Sequence, residues 1–244
     1  RRPLQLSIRH LYCPWAVVSN FLPLSGDPVF WQAVWHTVSL ALFQLVFFIP
    51  VPLAVALLLH SVLNGPVRKF VQSVVFLPHF VSWVVAIALI QQMVGPTGVL
   101  TNSLSGGGDH VVNLFTDPSL FQPMMVAELI WKDCGWATVI FTAALFQVDE
   151  QLYESAAMDG AGPWRRLWHV TLPGVRPVVV LVLIMRLGSV FSVGFDQVLL
   201  QRDSFGQRVS EVIDTYVYYH ATVNGDWSVA AAAGLFKGVV ALVL

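Results

Sequence analysis

The sequence predicts an all-α integral membrane protein, on the basis of its composition and of the length of its apolar runs. Of its 244 residues, 56% are hydrophobic and 11% are charged, and the mean hydropathy is +0.70. Soluble domains carry about 25% charged residues, so this chain is too apolar to be one of them. Several apolar runs reach the length of about 20 residues that a helix needs to cross a bilayer.

Charge and cysteine content argue against two other classes of protein. The formal net charge is −1, and no dense cluster of Lys and Arg offers a surface for phosphates, which argues against nucleic-acid binding. Cys13 and Cys134 form neither a C-x-x-C pair nor a ligand cluster, so we interpret both as small apolar residues. His36, His60 and His79 lack the spacing of metal ligands, and no metal site is predicted.

The chain begins with a predicted extracytoplasmic connector, residues 1–30, and continues as a transmembrane domain over residues 31–244. The connector contains Pro3, Pro14 and Pro23 and has no uninterrupted apolar run, so it is neither a signal peptide nor a span. We predict about five spans, at residues 34–63, 70–94, 121–148, 178–200 and 228–244.

Three of these predicted spans are expected to be irregular, two because they contain prolines and one because the sequence ends within it. The first contains Pro50 and Pro52 and the second contains Pro78, so we expect a kink in each; a bilayer tolerates such prolines when neighbouring helices satisfy the freed carbonyls. The turn at residues 64–69 would join them as a helical hairpin. The last apolar run stops at Leu244, too short to cross about 30 Å of hydrocarbon, so we expect a truncated final span.

Loop cations predict the orientation in the membrane. Cytoplasmic loops are enriched in Lys and Arg, which here places two loops together on that side, one with Arg68 and Lys69 and one with Arg165, Arg166 and Arg176. The loop at 95–120 has no Lys or Arg, and its Gly106–108 triplet is interpreted as an external flexible linker. Five cations oppose this orientation, because it makes them external: Arg1, Arg2, Arg9, Arg202 and Arg208.

The predicted cytoplasmic loop at 149–177 has its own local structure. Residues 151–158 favour a helix, Asp159 and Gly160 break it, and Pro163 suits the first position of a second helix over 164–169. Pro173 and Pro177 are expected to end the loop. Its chemistry allows two interpretations, a rigid docking surface for a soluble partner or an amphipathic loop anchored at the headgroups by Trp164 and Trp168.

A motif in this loop resembles a known family. The family's hallmark is E-A-A, two residues, D-G-A and then an aromatic stretch leading to proline. The chain supplies Glu154, Ser155, Ala156, Asp159, Gly160 and Ala161, then Trp168 and Pro173, with Ser155 as the one departure. On this loop, and on FLPHFVSWVV, WKDCGWATVIFTAAL, DTYVYYH and GLFKGVV elsewhere, the chain resembles permease subunits of binding-protein-dependent ABC importers with the type I transmembrane fold, in the carbohydrate branch that includes polysaccharide, alginate-oligosaccharide and lipoprotein-type permeases.

The resemblance implies a division of labour among several polypeptides. It implies a second permease subunit, so that a heterodimer is expected, with two ATPase subunits, an extracytoplasmic solute-binding protein and the bacterial cytoplasmic membrane as the location. The docking residues would include Arg165. ATP and Mg would be bound by the ATPase, because this sequence has no G-x-x-x-x-G-K-[ST] loop. The resemblance also implies one further span before the connector.

Polar residues inside the spans are candidates for the path of the cargo, because exposing them to lipid is costly. The candidates are Glu128, Trp131, Lys132, Trp136, Gln197 and His79. Glu128 and Lys132 lie one turn apart, so they either contribute to a sugar site beside the tryptophans or form an internal ion pair. Arg186 invites the same two interpretations, and structure is favoured for it.

Three functions follow from the sequence. The first is an importer permease for an oligosaccharide or related carbohydrate, and the second is the same machine carrying another solute. The third is an intramembrane enzyme, which would need ionisable residues converging at one depth. The acidic residues cluster in loops instead, so a transporter subunit rather than an enzyme is expected.

Overall fold

The computed structural model describes residues 21–62, 64–95, 98, 101, 117–188, 192 and 194–243, and within those residues the regular structure is entirely helical. The all-α prediction is confirmed. The expectations for residues 1–20, for Cys13 and for the Gly106–108 linker lie outside the described residues. The expected outward placement of the 95–120 loop also remains a prediction.

The helices are numbered α1 to α13 in chain order. They cover Phe21–Gly26, Pro28–Phe48, Pro50–Ser61, Gly65–Phe76, Trp83–Val94, Phe121–Leu145, Glu150–Met158, Pro163–Arg166, Leu172–Gly188, Phe195–Phe205, Gln207–Ser210, Ile213–Tyr218 and Trp227–Val243. Two 3-10 turns cover Leu77–Phe80 and Pro118–Leu120, and two π-turns cover Leu167–Thr171 and Tyr219–Val223.

The chain divides into two compact units. The first unit comprises residues 42–114 and 122–187, and the second comprises residues 1–41, 115–121 and 188–244. Aliphatic and aromatic side chains of α2, α3, α6 and α9 form the core of the first unit, namely Phe48, Ala56, Leu129, Ala137, Phe141, Ala144, Leu145, Val175 and Val182. Lipid tails are as apolar as these side chains, so close van der Waals packing, and not removal from water, makes this core a source of the unit's cohesion.

Polar contacts join the segments of the second unit. The Arg202 guanidinium donates to Oε2 of Glu211 at 2.8 and 3.2 Å, and its Cζ lies 3.6 Å from the centre of the Tyr219 ring. Tyr216 donates its hydroxyl proton to Oδ2 of Asp27 at 2.7 Å, while Lys237 is paired with Asp214. The apolar residues of this unit cluster around Leu24, Phe30, Ala33, Tyr216, Ala232 and Ala233.

Length and hydropathy support some of the predicted spans. Among the described residues, two helical segments are long and apolar enough to cross a membrane alone, the 34-residue Pro28–Ser61 and the 26-residue Pro163–Gly188. Two bent pairs of helices would add two more if each pair is one span, and the shorter apolar helix Trp227–Leu242 corresponds to the last predicted span. Between Pro28 and Ser61 the first predicted span has a break at Ile49, whose backbone angles remain helical.

The second predicted span, 70–94, is bent, as the kink expected at Pro78 predicts. The segments Gly65–Phe80 and Trp83–Val94 meet at an angle of 104°. Pro78 lies in the 3-10 turn before the bend, and Val81 and Ser82 are both extended. Ser82 then caps α5, because its Oγ accepts from the Val85 amide at 3.4 Å. The break therefore results from a short extended linker rather than from the proline alone.

The fourth predicted span, 178–200, does not match the helix bounds in the structure. The apolar helix begins earlier and ends at Gly188, and residues 195–205 form the separate helix α10, which follows Gly194 in the left-handed conformation at φ 52°. Apolar residues continue past Gly188, which is why hydropathy joined two helices.

Pro173 and Pro177 do not end the loop as expected, because both lie within the continuous helical segment Pro163–Gly188. In the π-turn just before Pro173, the Leu172 amide donates to the Leu167 carbonyl. A proline lacks an amide proton, and in a regular α-helix its ring collides with the carbonyl four residues earlier. We infer that the wider turn lets the helix pass this proline without a break.

Gly135, near the middle of α6, allows an unusually close approach of α4. A Cβ at this position would lie 2.4 Å from the Val75 carbonyl oxygen and 2.5 Å from the Phe76 Cα, and both of these are backbone atoms that cannot rotate away. Only a hydrogen in place of a side chain permits this crossing.

Gly135→Ala is expected to destabilise the protein by about 1–3 kcal/mol, because it forces apart two packed backbones. Thermal unfolding of the purified protein in detergent measures the effect. Gly234→Ala is the matched control, since Gly234 is also helical and an added Cβ there meets nothing within 4 Å. Equal stability of the two variants would contradict the close approach.

Candidate functional site

The loop at residues 149–177, called here the docking loop, starts with a capped helix. The Oδ1 of Asp149 accepts from the Gln151 amide at 2.9 Å, which satisfies one of the free amides at the start of α7. At the other end, the Gly160 amide donates to the Ala157 carbonyl and the Ala161 amide donates to the Ala156 carbonyl, at 3.0 and 2.9 Å. This double pattern is a Schellman motif.

The Schellman motif explains the D-G-A part of the sequence motif in physical terms. Gly160 has a φ of 73°, the left-handed region in which glycine carries no steric penalty. The turn then leads to Gly162 and Pro163, and proline occupies the first position of α8, as expected from sequence.

Side chains fix the two arms of the docking loop to each other. The Tyr153 hydroxyl on α7 donates to Oγ1 of Thr171 at 3.0 Å, and Nε of Arg166 donates to the Ala161 carbonyl at 2.8 Å. Sequence reasoning missed both contacts, because no local pattern pairs residues 153 and 171. The loop is therefore a braced structure rather than a slack tether.

The predicted docking residues fall into three groups on this loop. Gly160 and Ala161 build the turn. Ser155, Ala156, Asp159 and Pro173 line a groove of about 410 Å3, together with Leu152, His169, Val170 and Gly174. The side chains of Glu154, Arg165 and Trp168 are exposed. Large apolar side chains of the same loop are exposed as well, with Met158 at 89%, Trp164 at 71% and Trp168 at 55%. Exposed apolar groups of this size around a groove are typical of a surface that a partner protein covers.

A second group of predicted residues meets inside the first unit, around Asp133 of α6. Its Oδ1 lies 3.1 Å from Nδ1 of His79, and its Oδ2 lies 3.6 Å from Nη2 of Arg186. The Lys132 ammonium donates to the His79 carbonyl at 3.0 Å. His79, Lys132, Asp133 and Arg186 are called here the charged cluster.

Aromatic rings surround the charged cluster. The His79 ring stacks on the Trp136 ring, with centroids 5.4 Å apart and planes 15° apart, and it also stacks on Phe76. The Arg186 guanidinium lies 3.8 Å from the centre of the Phe48 ring, at the distance of a cation–π contact. Flat aromatic faces beside hydrogen-bonding groups suit the apolar face and the hydroxyls of a sugar ring.

The charged cluster lies beside the break between α4 and α5. His79 belongs to the 3-10 turn that ends at the 104° bend. Irregular backbone at membrane depth occurs where it is buried in protein or lines a cavity, and discontinuous helices mark binding sites in transporters. The bend therefore places the charged cluster at a discontinuous helix, the kind of position where transporters bind solutes.

Two helical arms connect the docking loop to the charged cluster. Near the loop they pack tightly, since a Cβ on Gly174 would lie 2.8 Å from Cγ2 of Val148. Asp133 lies 12 residues before the end of α6 at Leu145, and Arg186 lies 12 residues after Gly174, so each helix covers about 18 Å at 1.5 Å per residue. The two segments are thus in contact near the docking loop, at Val148 and Gly174, and again at the ion pair of Asp133 and Arg186.

The other candidate path residues lie elsewhere or are enclosed. Glu128 is 3% exposed, so it is buried within the protein. Trp131 is 45% exposed and lies about 140° around α6 from Trp136. Gln197 is 1% exposed and belongs to the second unit. The structure therefore gathers His79, Lys132 and Trp136, and adds Asp133 and Arg186 to them. Among the described residues, no group of three or more His, Cys, Asp or Glu side chains forms a metal site.

Comparison with known proteins identifies the family. The profile of the binding-protein-dependent transport system inner membrane component matches residues 48–244, most of the chain. The chain belongs to this family. It is therefore a membrane-embedded permease component of a transporter, with the helical fold that the sequence predicted.

Individual relatives support the same conclusion. The permease is 38% identical to the polygalacturonan/rhamnogalacturonan transport system permease protein YteP of Bacillus subtilis (strain 168), over 94% of this chain and 72% of the relative. It also matches a crystal structure of a bacterial ABC transporter involved in the import of the acidic polysaccharide alginate, at 33% identity and a TM-score of 0.89, over 98% of this chain and 84% of that one. A bacterial alginate ABC transporter in complex with alginate pentasaccharide-bound periplasmic protein matches at 32% identity and a TM-score of 0.86, over 98% and 88%.

Gly160→Pro is expected to abolish solute-dependent ATPase activity of the assembled transporter. Proline removes the amide that donates to Ala157 and cannot adopt a φ of 73°. Gly160→Asn is the matched control, because asparagine tolerates the left-handed conformation and an added Cβ meets nothing within 4 Å. The measurement is ATP hydrolysis in vesicles with loaded binding protein, and equal loss in both variants would show that the backbone conformation is not the cause.

Proposed function

We propose that this permease translocates an oligosaccharide or a related carbohydrate that a solute-binding protein delivers. The observation that carries the proposal is the charged cluster with its aromatic border, in which Trp136 and His79 present stacked rings beside the polar groups of Lys132, Asp133 and Arg186. The relatives that are named for transport of polygalacturonan and alginate support the same class of cargo.

In this proposal, the docking loop is the surface to which an ATPase subunit binds. ATP and Mg are bound by separate ATPase subunits, and two of these subunits engage a pair of permeases, of which this chain is one and a different permease is the other. The braced loop suits this role, because contacts such as Tyr153 to Thr171 allow it to transmit force without deforming. Hydrolysis of ATP takes place on the partner subunits.

The proposed setting is the bacterial cytoplasmic membrane, which the permease crosses several times. The docking loop faces the cytoplasm, in agreement with the excess of cations at Arg68, Lys69, Arg165 and Arg166. The solute-binding protein approaches from the opposite side, as the alginate transporter crystallised with its periplasmic protein suggests.

Glu154→Lys is expected to abolish stimulation of ATP hydrolysis by loaded binding protein in reconstituted vesicles. Glu154 is exposed on α7, so reversing its charge changes the docking surface while leaving the core intact. Glu154→Gln keeps the shape of the side chain and is expected to retain more activity. If Glu154→Lys is stimulated as strongly as the wild type, the loop does not dock the ATPase.

Trp136→Ala is expected to reduce uptake of the oligosaccharide at least tenfold, because it removes the ring stacked on His79 at the charged cluster. Trp131→Ala is the comparison, since it removes a similarly exposed ring from another face of the same helix. Uptake of radiolabelled oligosaccharide into vesicles is the measurement. Uptake of an amino acid or phosphate, with no uptake of any saccharide, would overturn the proposed cargo.

A further inference from the structure

We propose that Arg186 determines cargo specificity by binding a carboxylate of an anionic oligosaccharide, which takes the place of Asp133 on the guanidinium. The inference rests on the proposed function and extends it from carbohydrate in general to sugars that carry carboxylates. Its basis is the difference between two arginine–carboxylate pairs in the same chain.

The first of these pairs has the features of a structural ion pair. Arg202 reaches Oε2 of Glu211 through two nitrogens, at 2.8 and 3.2 Å, and the two side chains are only 9% and 3% exposed. Charge-assisted hydrogen bonds of this length in a buried place are strong, and removing one partner would leave a buried charge uncompensated.

The pair at Arg186 is looser and more accessible. Nη2 of Arg186 lies 3.6 Å from Oδ2 of Asp133, and the two side chains are 31% and 22% exposed. Charge-assisted N–H···O contacts are usually about 2.7–2.9 Å long. A cargo carboxylate at that usual distance from Nη2 would make a shorter contact than Asp133 does.

Asp133 would keep a hydrogen-bond partner during this exchange. Asp133 divides its two oxygens between neighbours, with Oδ1 on His79 and Oδ2 on Arg186. When Arg186 turns to a cargo carboxylate, Asp133 retains His79 as its partner. The Phe48 ring under the guanidinium holds Arg186 in place during the exchange, since the cation–π contact at 3.8 Å does not depend on Asp133.

The surroundings of Arg186 fit the two parts of a sugar acid. The half-exposed Trp136 ring, linked to Asp133 through His79, offers a face for the sugar ring. Lys132 adds a second positive charge to the cluster, and Asp133 provides a negative charge beside it when no cargo is bound. A neutral sugar would gain much less from Arg186, because its hydroxyls carry no charge to pair with the guanidinium.

The test measures equilibrium binding of two free probes to the complete permease–ATPase complex in detergent. The probes are a galacturonate trisaccharide and a neutral galactose trisaccharide. Arg186→Gln is expected to weaken binding of the acidic probe at least tenfold and to change binding of the neutral probe less than twofold. Arg186→Lys is expected to be intermediate, because it keeps the charge and loses the planar fork. Arg176→Gln, an exposed arginine on the same helix, is the matched control and should leave both affinities unchanged.

Asp133→Asn is a second variant, and its expected effect on binding of the acidic probe is opposite to that of Arg186→Gln. If Asp133 competes with the cargo, removing its charge strengthens binding of the acidic probe severalfold. If the pair is only structural, Asp133→Asn and Arg186→Gln weaken both probes alike, and the proposal fails. This variant still decides the question if Arg186→Gln does not assemble.

Transport by the wild type separates this inference from the proposed function. Vesicles that import neutral but not acidic oligosaccharides overturn the role of Arg186 and leave the carbohydrate permease intact. Vesicles that import neither kind of saccharide overturn both proposals. Import of the acidic oligosaccharide with the binding pattern above supports both.

Discussion

The first unit depends on how the charge of Asp133 is compensated. A carboxylate in the middle of an apolar helix is costly unless protein groups surround it, since a bilayer offers no water to do so. Here the partners come from separate segments, with His79 in the turn before the bend and Arg186 on α9. Compensation of one charge thus holds two elements, the turn with His79 and α9, against α6. Aromatic rings lie beside both pairs, with Trp136 of α6 stacked on His79 and Phe48 against Arg186.

Close packing makes this compensation geometrically possible. Gly135, two residues beyond Asp133, lets the backbone at Val75 and Phe76 approach α6 within the space of a missing side chain. A larger residue there would hold α4 away, and the His79 ring would no longer reach Asp133 at 3.1 Å. The polar contacts of Asp133 therefore depend on the close helix crossing, because Gly135 sets the distance between α6 and the segment that carries His79.

The features that the sequence could predict are local ones. Apolar run length indicated the helical class, and the D-G-A residues indicated a turn, because a left-handed glycine after a helix has a clear signature at Gly160. The bend at Val81 and Ser82 was only partly visible, since Pro78 predicted a kink but no pattern predicted two extended residues. The end of α9 at Gly188 was hidden by the apolar residues that follow. The pairing of Asp133 with Arg186 joins positions far apart in the chain, which only the folded structure specifies.

The unbroken helical segment from Pro163 to Gly188 also constrains how this chain can change over evolutionary time. Its first turns belong to the docking loop, and its last turn carries Arg186 to the charged cluster. Adding or deleting one residue between them would rotate the two ends by about 100° relative to each other. Substitutions near Arg186 can therefore change the charged cluster alone, whereas insertions and deletions along this helix would misalign the charged cluster with the docking loop.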